Sequence, residues 1–140
     1  MNDRINELSR DDETWLRRAE GHILSIICSR YGGGDFDGSL DDLSRLQRLI
    51  DDRAISKENT LEVQCIGVVL GNVLAENTSM RWMRVINEYG NMISLHDHHI
   101  HFTLYPLTMV SKRLEDGRTI DLVALYKDLV QSLRLDADEG

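Results

Sequence analysis

Four histidines fall within six residues, in the run His96-Asp97-His98-His99-Ile100-His101. Imidazole is the commonest metal ligand, and it also changes charge near physiological pH. On an extended strand His99 and His101 share one face. His96 then meets them across a tight turn, and Asp97 or Asp116 supplies an oxygen. His96, His99 and His101 are therefore the candidate metal ligands. Zinc would need three or four such groups at about 2.0–2.2 Å. The same cluster can also act as a pH-sensitive patch, or as a polar loop that simply meets water. There is no HExxH, no CxxC and no nucleophile elbow, and the carboxylates are scattered. A non-catalytic protein without a cofactor is the expectation.

Charge gives the second lead. The 140-residue chain carries 16 Lys and Arg against 24 Asp and Glu, a net charge of -8. Nucleic-acid binders carry a basic footprint, so direct nucleic-acid contact is not expected. An acidic protein suits solubility or a basic partner. Asp35, Asp37, Asp41, Asp42, Asp51 and Asp52 crowd one segment and form the candidate partner-binding surface. Gly32-Gly33-Gly34 opens that segment. Phosphate loops follow a strand and carry a lysine, whereas this loop follows a helix and carries aspartates.

Cys28 and Cys65 sit among apolar neighbours, as reduced thiols of a cytoplasmic protein do. The start, MNDRINELSRDDE, is too polar for a signal peptide, and no stretch is apolar enough to cross a membrane. A cytosolic binding protein follows, either monomeric or a homodimer through a sheet edge. Its specific form is an immunity protein that neutralises a basic bacterial toxin. The alternatives are a metal-binding or pH-sensing protein built on the histidines, and a structural module.

The elements that position these groups are legible from periodicity. Leu61–Ala75, LEVQCIGVVLGNVLA, is apolar on most faces of a helical wheel, which marks a core helix. Gly67 and Gly71 lie one turn apart within it. Glycine inside a helix costs about 1 kcal/mol against alanine, so another element is expected to approach there. Trp15, Leu16, Ala19, Ile23, Ile26 and Ile27 predict a first helix from about Asp12 to Arg30, after a frayed lead-in over 1–12. Ser39 caps a second helix, and Asn59 or Thr60 caps the core helix. Met80–Tyr89, Asn91–His96 and Ile100–Tyr105 read as strands, with turns at Gly90-Asn91 and at Asp97–His99. Pro106 opens a fourth helix, which Gly117 closes. Asp121 caps the fifth, and an acidic tail over 135–140 is expected to be flexible. The prediction is one α+β domain: three N-terminal and two C-terminal helices on a three-stranded antiparallel meander.

Leu70-Gly71, Trp82, Val85, Glu88-Tyr89-Gly90, Pro106-Leu107, Val110, Lys112-Arg113, Glu115-Asp116-Gly117 and Asp121-Leu122 form a spaced pattern. Over Val68 to Leu125 it resembles a bacterial family catalogued only as a domain of unknown function. Asn87 stands where that family often has Asp, and the histidine cluster is not part of the pattern. The resemblance implies a small α+β fold and no activity, cofactor or catalytic residue. Trp82 is expected to be a buried anchor. Glu88, Lys112, Arg113, Glu115 and Asp116 are expected to pair with one another, cap helix ends or touch a partner.

Overall fold

The computed structural model describes residues 4–88 and 90–139, with the backbone alone for 135–139. Its elements run β1 (Arg4–Asn6), α1 (Arg10–Tyr31), α2 (Leu40–Asp51), α3 (Thr60–Asn77), β2 (Arg81–Asn87), β3 (Gly90–Asp97), β4 (Phe102–Leu104), α4 (Pro106–Glu115) and α5 (Leu122–Glu139). The class is α+β. The sheet has four strands in the order β1-β2-β3-β4, each pair antiparallel. The additional strand comes from the lead-in expected to be frayed. Ile5 lies opposite Val85, so pairing with β2 holds a segment that has only one apolar residue of its own. At the other end, α5 continues through the acidic tail to Glu139.

The caps follow the side-chain chemistry. Ser9 accepts from the Asp12 amide while Asp12 accepts from the Ser9 amide, a reciprocal capping box that starts α1 earlier than its apolar stripe does. Ser39 caps α2, Asn59 caps α3, and Asp121 accepts from the Ala124 amide at the head of α5.

α3 is the centre of the core and packs against α1, α2, α4, α5 and β2. Val63, Ile66, Val68, Leu70, Val73 and Leu74 have no exposed surface. The two glycines explain how neighbours come so close. A Cβ on Gly67 would lie 2.3 Å from the Pro106 carbonyl oxygen, and one on Gly71 would lie 2.3 Å from the Trp82 ring. Trp82 cannot swing away freely, because its indole N–H donates to Asn72 Oδ1 at 2.8 Å. The sheet face bearing Trp82, Leu95 and Leu104 meets this core. Met83, Val85, Ser94 and His96 lie on the opposite face and are buried too, so β2 and β3 are covered on both sides.

The second tie between sheet and helices is ionic. Arg84 on β2 grips Asp12 on α1 through two N–H donors, one of them Nε at 3.0 Å, and also donates to Asn91 at 2.8 Å. The guanidinium holds the Asp12 carboxyl down at about 2, against an ordinary value of 3.8. The Asp12 side chain is only 12% exposed, so water weakens this bidentate pair little.

Two outcomes follow for stability. Gly67→Ala and Gly71→Ala should each destabilise by about 2 kcal/mol or more despite their better helix propensity. Gly21→Ala, whose new methyl meets nothing within 4 Å, should instead stabilise by up to about 1 kcal/mol. Urea unfolding measures all three. A carboxyl with a lowered folded pKa contributes stability above its unfolded value and loses it as the pH falls through the folded one. Asp12→Asn should therefore cost about 2 kcal/mol at neutral pH, and that gap should close between about pH 4 and about pH 2.

Candidate functional site

Where α1, the glycine loop, the head of α2 and the end of α3 meet, acidic side chains line a cleft of about 390 Å³. Glu20, Asp37, Gly38, Asp42, Asn72 and Glu76 form its wall. Glu20 and Asn72 also line a neighbouring cleft of about 400 Å³ with Glu7, Glu13, Arg17 and Arg81. They stand on the ridge between the two.

Each wall residue is placed by the fold. Leu16, Ala19 and Ile23 turn one stripe of α1 into the core, which leaves Glu20 half-buried at its border. Asn72 donates to Glu20 Oε2 at 2.8 Å and accepts from the Trp82 indole. A chain of hydrogen bonds thus runs from the sheet anchor to the cleft. Asp42 accepts from the amides of Asp37 at 3.2 Å and Gly38 at 2.8 Å, folding the loop onto α2. Asn77 donates to the Gly38 carbonyl at 2.9 Å from the other side.

The electrostatics are unusual for a protein surface. Burial pushes the Glu20 carboxyl up, and the charges of Asp42 and Asp35 push it further. Burial also raises Asp42, although the loop amides oppose the shift. Asp37 is lowered by its bonds to Ser39. Perturbed carboxyls gathered in a cleft are a mark of a functional site.

The aspartates predicted as a contact surface divide accordingly. Asp42 is 3% exposed. Its acidity is spent on the loop amides, a role that its position in the first turn of a helix disguises. Asp52 accepts from the Tyr31 hydroxyl, Asp51 from Gln47, and Asp37 from Ser39. Asp35 and Asp41 are exposed. Glu20, Asn72 and Glu76 were missed. The available signal was Asn72 itself, a polar residue in an otherwise apolar helix beside Gly71.

The histidines take a different arrangement from the expected one. The turn occupies residues 98–101, and β4 starts only at Phe102. His99 and His101 therefore share no strand face. His99 donates its amide to Asp97 Oδ1 at 2.8 Å, and His101 has a left-handed φ of 52°. His96 is buried on β3, with Nδ1 2.9 Å from Thr103 Oγ1. The rings of His98 and His101 lie 4.8 and 6.5 Å from its own. Asp116 closes α4 far along the chain. Among the described residues, no three His, Cys, Asp or Glu side chains stand where one metal ion could join them.

Of the motif residues, Trp82 is the anchor already described. Arg113 donates to the Met109 carbonyl at 3.0 Å, within its own helix. Lys112, Glu115, Asp116 and Glu88 are exposed, and among the described residues none of them forms an ion pair. Tyr89 lies outside the described residues. Cys28 and Cys65 are both free thiols. No helix among the described residues is long and apolar enough to cross a membrane.

The arrangement defines an α+β protein with a central apolar helix laid on an antiparallel meander. Residues 42–126 match the profile of the Domain of unknown function (DUF3806), and the chain belongs to that family. No curated protein matches it. A crystal structure from Bacteroides thetaiotaomicron VPI-5482 is similar in fold, with a TM-score of 0.82 at 18% identity. The match covers 93% of this chain and 48% of that one, so this chain spans about half the length of its structural relative.

Proposed function

We propose that this is a non-catalytic cytoplasmic binding protein whose acidic cleft receives a basic protein partner. In its specific form it is an immunity protein, and the partner is a toxin that it neutralises. The observation that carries the reading is Glu20. Its charge is held half-buried beside Asp35 and Asp42, where each raises the energy of the ionised form. A glutamine would keep the acceptor for Asn72 without that cost. A charge retained against stability is understandable if a cation arrives to complete it, and acidic inhibitors gain association rate against basic surfaces.

The sign of the cost follows from the raised pKa. The folded state holds the Glu20 proton more tightly than the unfolded state does, so stability falls as pH rises through the folded value. Glu20→Gln should therefore be more stable than the wild type at neutral pH, with the gain vanishing below pH 4.5, the ordinary value for glutamate. A basic partner captured from the source lysate should bind Glu20→Gln, and also Asp35→Lys/Asp41→Lys/Glu76→Lys, at least about tenfold more weakly. Coexpressing the wild type should relieve that partner's toxicity. Unchanged affinity in both variants, measured by calorimetry, would remove the cleft from the interface.

A further inference from the structure

A cleft on another face of α1 has a different chemistry. It measures about 430 Å³, and Asp11, Asp12, Trp15, Gln64, Arg84, Met92, Tyr105 and Leu107 are among the residues around it. That volume lies in the range of small-molecule sites, as does a lining that is mostly apolar with a few polar groups. Met92, one of the residues around it, is 40% exposed.

The charges decide what. Arg84 is committed to Asp12 and Asn91, so it offers little to an incoming anion, and its charge is balanced by Asp12. The Asp11 carboxylate, by contrast, makes no hydrogen bond or ion pair with another described residue. The same holds for the Gln64 amide and the Tyr105 hydroxyl. What remains is one uncompensated carboxylate beside an indole and a phenol, and aromatic faces attract cations.

We infer that the cleft bounded by Trp15, Tyr105 and Met92 binds a small organic monocation, an amine with an aromatic or alkyl body. The ammonium lies between the Asp11 carboxylate and the Trp15 ring. The hydrocarbon covers Met92, Ile93 and Leu107, and Gln64 and Tyr105 offer acceptors to the remaining N–H groups. This site is separate from the Glu20 cleft and stands whether or not that cleft meets a protein.

Three probes that share a phenyl ring and a short arm test the sign of charge: phenethylammonium, 2-phenylethanol and phenylacetate. Trp15 and Trp82 are the two tryptophans of the chain, so 1H–15N spectra resolve their indole resonances, with Trp15→Phe giving the assignment. Phenethylammonium should shift the Trp15 indole saturably and bind about fivefold tighter than the alcohol, with phenylacetate weakest. Asp11→Asn, an exposed change, should reduce the cation's advantage over the alcohol to what the aromatic faces alone supply. Added salt should shrink the cation's advantage. No saturable shift with any probe, equal binding across the series, or tightest binding of phenylacetate would each overturn the assignment.

Discussion

Two missing methyl groups set the geometry of this protein. At Gly67 and Gly71 the core helix α3 meets the backbone at the start of α4 and the face of the Trp82 indole, with no room for a side chain between them. The approach fixes where β2 leaves the core and where α4 begins. Through the indole N–H it also fixes the Asn72 amide, and through Asn72 the carboxylate of Glu20. One packing constraint in the interior thus reaches the surface in two hydrogen bonds. An interior at crystal-like density transmits position in this way because it has no slack to absorb a shift.

α1 holds two carboxylates in opposite states. Asp12, at its head, is stabilised as an anion by the Ser9 amide and by Arg84. Glu20, two turns further on, is disfavoured as an anion by burial and by neighbouring acids. The first ties the helix to the sheet, and the second sits beside like charges on the wall of the acidic cleft. Both residue types look alike in the sequence, and only the tertiary surroundings separate a structural acid from a costly one.

The helices were legible because a core stripe at helical spacing, a serine or asparagine cap and a closing glycine are all local signals. The reason for Gly67 and Gly71 was legible as well, since glycine in an apolar helix calls for a close neighbour. β1 was not. Ile5 is the one apolar residue of a three-residue strand, and the strand exists only because β2 lies beside it. The acidic segment was legible as composition but not as burial. Asp42 reads as an exposed acid in a first turn, yet it serves the loop amides. The histidines were misplaced by the turn, which extends through His101 and leaves β4 to begin at Phe102. A shift of that size decides whether a side chain belongs to a strand face at all.

The short outer strands have a consequence for how this chain meets others. β1 spans Arg4–Asn6 and β4 spans Phe102–Leu104, so each outer strand by itself offers only a few backbone groups. β4 is also bounded by a left-handed residue at His101 and by Pro106, which has no amide hydrogen. Growth of a sheet across molecules needs a long, flat run of open donors and acceptors. Here neither outer strand supplies such a run.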